Sequence, residues 1–294
     1  MEIIIGIIEQ GLIYAQLAVG LYIAYRILDF PDLTVDGSFA LGGAVAAATI
    51  VSTNNPFLAL VLSTLAGALA GLCTGLIHVK LGIKDLLAGL IMQTALYAVN
   101  LTIAGQGNLP IFSNPTIFRN PLVKGILPET LAPYATILVA LVLVLLLKFV
   151  LDWFLTTKRG FLLRATGDNP LLVKTMGKDP GMTKILGLSI SNGLVAFSGG
   201  LVAQEQRFFE ISMGTGAMVM GLASLVIGMK LLRKVHRMKD TGKVIFGAIV
   251  YKASIALAIR IGFSQNSLRL ITALIFLVIL YSGKDNTKRR KKDA

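Results

Sequence analysis

One short polar stretch, Asp32-Leu33-Thr34-Val35-Asp36-Gly37-Ser38, holds the residues best suited to bind a small solute, and it lies between two apolar runs. Pro31 cannot continue a helix, because it lacks an N–H and clashes with the preceding turn. If the flanking runs cross a membrane, a helix broken here exposes backbone dipoles that can bind solutes near the midplane. The alternative is an ordinary turn in which Thr34, Asp36 or Ser38 caps the next helix. The first interpretation assigns four residues to a translocation pathway: Leu33, Thr34, Asp36 and Ser38.

Other polar side chains interrupt the apolar runs singly. Glu9 and Lys252 lie several residues inside such runs, where a charge is costly unless it faces protein or water. They neutralise each other or contact a solute, and both interpretations stay open. Five neutral side chains can hydrogen-bond a solute without holding it tightly: Gln16, Gln93, Asn100, Asn192 and Ser224. We assign Gln93, Asn100 and Asn192 to the pathway.

The sequence contains no group of residues with the types and spacing of a catalytic site. The phosphate-binding pattern G-x-x-x-x-G-K-[ST] does not occur, and His78 and His236 are the only histidines. Cys73 is the single cysteine, and no His, Cys and carboxylate cluster has metal-ligand spacing. We therefore expect no catalytic residue, no metal site and no cofactor in this chain. These absences favour a passive conduit that another protein drives.

The elements that must position these residues are membrane-spanning helices. Hydrophobic residues make up 55% of the chain, charged residues 15%, and the mean hydropathy is +0.76, which is too apolar for a soluble core. We expect an all-α, polytopic membrane protein with one domain over 1–294 and a basic tail at 284–294. Gly67, Gly71 and Gly75 share one helix face and predict close helix packing. About nine spans are predicted, at 3–28, 33–53, 56–79, 84–104, 131–151, 184–206, 214–232, 243–262 and 267–283.

The basic residues predict orientation. Lys and Arg concentrate in 148–184, in 230–243 and in the tail, and such clusters stay cytoplasmic. Counting spans back from them places the N-terminus and 105–130 outside, with the C-terminus in the cytoplasm. The net charge of +13 then reflects membrane topology and contact with lipid, not nucleic acid. The start, Met1-Glu2-Ile3, has no basic region, so we expect the first run to be a resident helix.

The polar segment 164–183 predicts a short cytoplasmic helix. Asp168 or Asn169 can cap it, and Pro170 fits its first position. Gly177 can end it in a left-handed conformation. Its apolar face consists of Leu171, Leu172, Val173 and Met176. Without a partner, such a helix lies along the membrane surface.

Three blocks of sequence carry a resemblance. The first runs from Ala165 to Asp179 and on into Gly187 and Ser198-Gly199-Gly200-Leu201. The second is Asp32-Leu-Thr-Val-Asp-Gly-Ser-Phe-Ala-Leu-Gly-Gly. The third is Met213-Gly-Thr-Gly-Ala-Met-Val-Met-Gly-Leu-Ala-Ser-Leu-Val-Ile-Gly. In this order they resemble permease subunits of ABC importers, in the branched-chain amino acid and ribose transporter group. The wording of the second block looks most like permeases for aromatic amino acids such as tryptophan. The family often has an acidic residue or a second glycine after the position of Gly228, where this chain has Met229-Lys230.

The resemblance implies that this chain works with partner subunits. A second permease copy, ATPase subunits that bind ATP-Mg, and an extracellular substrate-binding lipoprotein would complete it in the plasma membrane. The broken helix at Leu33 to Ser38 would border the pathway. A coupling helix would contact the ATPase through Asp168, Asn169, Pro170, Leu171, Leu172, Val173, Lys174, Met176 and Gly177. The expected solute is an amino acid, either aromatic or branched-chain. The alternatives are a secondary carrier or channel without an ATPase, and a sugar or nucleoside in place of an amino acid.

Overall fold

The computed structural model describes residues 2–120, 134–235, 237–262 and 277, most of them in long packed helices. Eight helices in this part are long and apolar enough to cross a membrane. They match the first eight predicted spans, and the ninth, 267–283, lies outside the described residues except for Leu277. The helices are α1 (Glu2–Leu21), α2 (Thr34–Thr53), α3 (Pro56–Lys80), α4 (Asp85–Ala104), α5 (Ala135–Thr156), α6 (Lys158–Asp168), α7 (Pro170–Thr175), α8 (Pro180–Gln206), α9 (Ala217–Leu231) and α10 (Asp240–Arg260).

The sixth span starts earlier than hydropathy predicts. Helix α8 begins at Pro180, not at residue 184, because the Asp179 carboxylate accepts a hydrogen bond from the Gly181 N–H at 2.8 Å. Proline fits the first turn because its missing N–H is not needed there. Polar residues at the start of this helix thus extend it beyond its apolar run.

A small ribbon is the one departure from all-α structure within the described residues. Strand β1 (Asn108–Pro110) pairs antiparallel with β2 (Phe208–Glu210), so that Leu109 faces Phe209. Two flanking backbone bonds extend the pairing, from the Ile111 N–H to the Arg207 carbonyl and from the Ile211 N–H to the Gly107 carbonyl, both 2.9 Å. The ribbon joins the chain after α4 to the end of α8.

Helix α8 lies at the centre of the bundle and packs on α1, α2 and α3. The predicted glycine face of α3 is confirmed, since it is what α8 packs against. A Cβ on Gly71 would meet the Leu188 carbonyl oxygen, and one on Gly75 would lie 2.8 Å from the Ile185 Cα. Only glycine lets the two backbones approach this closely.

The break after the first helix has a defined geometry. Helix α1 continues as a π-helical turn over Tyr22–Ile27, in which the Leu28 N–H donates to the Ile23 carbonyl at 3.0 Å. Asp29 then adopts a positive φ of 52°. The break occupies residues 28–33, so the helix is already re-formed at Thr34. The predicted break at Leu33 to Ser38 therefore lies about one turn too far along the chain.

Asp152, near the end of α5, holds the beginning of α10. Its carboxylate accepts from Lys148 Nζ at 2.7 Å and from Thr241 Oγ1 at 2.6 Å. Lys239 Nζ lies 3.5 Å away, and Asp152 is 6% exposed. A buried carboxylate with these donors links two spans that are far apart in sequence.

Candidate translocation site

Asp32 organises the entry into α2. Its Oδ1 accepts from the Thr34 N–H at 2.9 Å, and its Oδ2 accepts from Asn192 Nδ2 at 2.6 Å. The prediction that Thr34, Asp36 or Ser38 caps α2 is therefore wrong, because the Asp32 carboxylate accepts the Thr34 N–H, which has no partner within the helix. The residue that caps lies two positions before the first helical residue, as Asp commonly does in a turn.

Thr34 makes a different contact from the predicted cap. Its hydroxyl lies 2.8 Å from the Thr74 hydroxyl of α3, and both side chains are fully buried. Together with Asp32 and Asn192 they form a polar cluster that joins α2, α3 and α8. Ser38, the third predicted cap, is buried and its hydroxyl has no hydrogen-bond partner.

Asp36 caps another helix. Its Oδ1 accepts from the Met218 N–H at 2.8 Å, and its Oδ2 accepts from the Gly216 N–H at 3.1 Å. These are free donors at the N-terminus of α9, since the first N–H groups of a helix have no partner within it. Gly216 has a φ of +84°, which presents its N–H to the carboxylate. The beginnings of α2 and α9 thus meet inside the bundle.

A cavity of about 70 Å³ opens beside this junction. It lies between α2, α4 and the 3₁₀ turn Ile211–Gly214 that leads into α9. Asn100 donates from Nδ2 to the Gly37 carbonyl at 3.2 Å, while its Oδ1 has no partner. The lining residues are Asp36, Gly37, Ala40, Gln93, Tyr97, Asn100, Ile211, Gly214 and Thr215.

The structure divides the predicted pathway residues between two places. Asp36, Gln93 and Asn100 line the cavity, whereas Thr34 and Asn192 belong to the polar cluster. Leu33 packs against the backbone of α4, where a Cβ on Gly89 would lie 2.7 Å from the Leu33 nitrogen.

Asp32 and Tyr97 were not among the residues predicted for the pathway, although Asp32 begins the polar stretch that held four of them. Tyr97 follows Gln93 by four residues and precedes Asn100 by three, which places all three on one helix face. That spacing could have indicated Tyr97 from the sequence. Asp32 carried the signal of an acidic residue just before a helix start.

The single charges inside the bundle do not pair as predicted. Lys252 Nζ lies 3.4 Å from the centre of the Tyr14 ring. The Tyr14 ring stacks on the Phe39 ring, with 5.9 Å between the two ring centres. No ion pair between Glu9 and Lys252 occurs among the described residues, so the predicted partnership is wrong. An aromatic face attracts a cation strongly when water is excluded.

The predicted short helix is present as α7. Asn169, not Asp168, caps it, and its Oδ1 accepts from the Leu171 and Leu172 N–H groups at 3.1 and 3.2 Å. Pro170 is its first residue, and Gly177 follows it with a φ of +69°. Its apolar residues divide, since Val173 is buried while Leu171, Leu172 and Met176 are exposed. Lys174 is also exposed, in the last turn.

Comparison with known proteins decides the family. Residues 3–281 match the family model described as branched-chain amino acid transport system / permease component. The chain belongs to this permease family. The permease is 38% identical over 294 residues to the tyrosine transport system permease protein of Clostridioides difficile (strain R20291), covering 100% of this chain and 96% of the relative.

Two further relatives extend the comparison. An uncharacterized protein of Rickettsia prowazekii (strain Madrid E) is 34% identical to the permease over 289 residues, with 97% of this chain and 99% of the relative covered. The probable branched-chain amino acid transport permease protein LivH of Methanocaldococcus jannaschii is 29% identical over 238 residues, with 76% and 74% covered. The permease is thus a multi-pass membrane protein of an ABC-type transporter family.

Proposed function

We propose that two copies of this permease form the membrane pathway of an ATP-driven importer for an amino acid with an aromatic side chain. The observation that carries the substrate class is the similarity to a tyrosine transport permease along the whole chain. The sequence resemblance to permeases for aromatic amino acids agrees with it. A sugar or a nucleoside is the alternative substrate. The transport assay below distinguishes an aromatic amino acid from a sugar and from a nucleoside.

Helix α7 is the proposed contact with an ATPase subunit. It is a short, well-capped helix between two spans, and it exposes Leu171, Leu172 and Met176 beside polar residues. Exposed apolar side chains on a helix can dock into a groove on a partner protein. Because the helix is rigid, a movement of the partner then moves the helix with it. The ATP and Mg²⁺ then belong to the partner, and this chain supplies the surface that receives the force.

Helix α4 is the proposed lining of the pathway. It is among the least buried of the candidate spans, and its outward Tyr97 lies beside the cavity that Gln93 and Asn100 also line. Polar groups on the outside of a span favour contact with water or with a second copy over contact with lipid. A second permease facing this helix would enclose the path between the two copies.

The basic segments 148–184 and 230–243 support a cytoplasmic position for α7. The opposite end of the bundle, which includes the β1–β2 ribbon, then faces the binding protein outside the cell. This arrangement places the ATPase and the binding protein at opposite ends of the same helices, in the plasma membrane.

The test is reconstitution in proteoliposomes. The permease is purified with the ATPase that co-purifies with it, and uptake of labelled L-tyrosine is measured with binding protein outside and ATP inside. We expect uptake that requires both ATP and the binding protein. Uptake by the permease alone, driven by an ion gradient, would instead establish a secondary carrier, and ATP-driven uptake of ribose or a nucleoside but not tyrosine would correct the substrate.

A further inference from the structure

The cavity beside the α2–α9 junction offers hydrogen-bond acceptors and no cationic side chain among its lining residues. We propose that it is a transient site for the α-ammonium group of an amino acid on its way through the membrane. This inference rests on the proposed function and adds which part of the solute the permease contacts. The carrying residues are Asn100 and Asp36.

Asn100 supplies the first acceptor. The residue is 1% exposed, its Nδ2 donates to the Gly37 carbonyl, and its Oδ1 has no partner. A buried acceptor without a donor is costly, so an N–H group that reaches this oxygen as the side chain turns toward the cavity gains the bond that the protein leaves unmade. An ammonium group brings three such donors in a compact volume.

Asp36 supplies the negative charge. Each of its oxygens accepts one backbone N–H from the beginning of α9, and a carboxylate has about four acceptor positions. The helix N-terminus carries roughly half a positive charge, which only partly offsets a full negative one. The junction therefore retains acceptor capacity and excess negative charge next to the cavity.

The size of the cavity selects a headgroup. A volume of about 70 Å³ holds several water molecules by the usual minimum of about 10–15 Å³ for one. That suffices for an ammonium group and the carbon that bears it, but it is only about half of the roughly 150 Å³ of a cavity that binds benzene, so an aromatic ring does not fit. Tyr97 lies at the edge of the cavity with its side chain 55% exposed, in a position to stack on a ring that stays outside.

A carboxylate is a poor occupant of the same space. Asp36 repels it, and the backbone donors of Gly216 and Met218 are already taken. The lining contains no lysine or arginine. The charge pattern thus orders the solute with its ammonium group inward and its carboxylate away.

The experiment measures weak binding to the full permease chain in lipid nanodiscs, without binding protein, by saturation-transfer NMR. The probes are tyramine, which has the amine alone, and 3-(4-hydroxyphenyl)propionate, which has the carboxylate alone. We expect saturable binding of tyramine and none of the propionate. Equal binding of the two probes, or no binding of tyramine, would overturn the proposal.

Variants of Asn100 then separate contact from packing. Asn100→Leu removes the acceptor and should weaken tyramine binding at least about tenfold, whereas Asn100→Gln keeps an amide oxygen and should retain most of the binding. Ser254→Ala is the control, because this hydroxyl of α10 donates to the Val250 carbonyl of its own helix at 2.9 Å and lines no part of the cavity. If Asn100 only supports packing, Asn100→Leu and Asn100→Gln should weaken tyramine binding equally, and that result would refute the site.

The two proposals fail in different ways. If the assembled transporter takes up tyrosine with ATP but Asn100→Leu leaves tyramine binding unchanged, the ammonium site is wrong and the importer stands. If tyramine binds as expected but ATP drives no uptake of tyrosine, the site stands and the importer assignment falls.

Discussion

The carboxylate of Asp36 accepts the N–H of Met218 at 2.8 Å across 182 positions of sequence. An acidic side chain in the first turn of one helix thus stabilises the first turn of another. The bond sits at the point where two spans begin inside the bundle, so its loss affects both of them.

Asp36→Ala should lower the stability of the purified permease. The variant leaves two N–H groups of α9 without acceptors, and loss of a helix cap costs about 0.5–2 kcal/mol. We expect a lower midpoint of thermal unfolding in detergent. Asp36→Asn retains one carbonyl acceptor and should lose less, so an Asn variant as unstable as Ala would contradict the capping role.

Gly71→Ala should destabilise the packing of α3 on α8. The added methyl meets the Leu188 carbonyl oxygen and lies 2.9 Å from the Asn192 Cβ, and overpacking of this kind typically costs about 1–3 kcal/mol. The midpoint of thermal unfolding reports it. Gly6→Ala is the matched control, because nothing lies within 4 Å of the added Cβ, and alanine is the better helix former. An equal loss of stability in both variants would rule out the close approach as the cause.

Gly177→Val should uncouple ATP hydrolysis from uptake. Gly177 has a φ of +69°, which a β-branched residue adopts only with strain, so the end of α7 must shift. We expect ATPase activity in the reconstituted transporter to persist while uptake per ATP falls severalfold, since a 1 Å misplacement is enough to disturb a positioned contact.

Gly105→Val is the control for that strain. Gly105 has a φ of +71° and ends α4, away from α7. It should reduce stability without changing the uptake per ATP. The same uncoupling in both variants would show that strain anywhere in the chain produces it, and α7 would lose its special role.

Asp152→Ala should loosen the link between α5 and α10. It removes the acceptor for Thr241 and the partner of Lys148, which is 20% exposed, and hydrogen bonds to charged groups contribute about 1.5–3 kcal/mol each. We expect a clear fall in the unfolding midpoint. Asp240→Ala breaks a more exposed i,i+3 pair with Lys243 and should cost under about 1 kcal/mol, so equal losses would argue against a buried link.

Hydropathy predicted the spans because each helix must supply its own apolar surface to lipid. The glycine face of α3 and the ends of α7 were also predictable, since Gly71, Asn169 and Gly177 act through local backbone geometry. Contacts between residues distant in sequence were not predictable. Nothing near Asp36 indicates Gly216, and nothing near Lys252 indicates Tyr14, because those contacts depend on how the helices pack.

The candidate site was predictable in the same partial way. Gln93 and Asn100 stand out as amides in an apolar run, and they do line the cavity. That Thr34 turns instead toward Thr74 follows from the crossing of α2 and α3, which the sequence does not encode locally. The π-helical turn at Tyr22–Ile27 likewise shifts the break upstream, and helix propensity alone gives no indication of it.

The β1–β2 ribbon fastens one end of α4 to α8, and the other end is held as well. Near Asp85, Gly89 packs on the backbone of Leu33, directly before α2, where an added Cβ would lie 2.7 Å from the Leu33 nitrogen. The 20 residues of α4, about 30 Å long, are thus braced at both ends. We therefore expect α4 to resist tilting by itself and to move together with α2 as one unit.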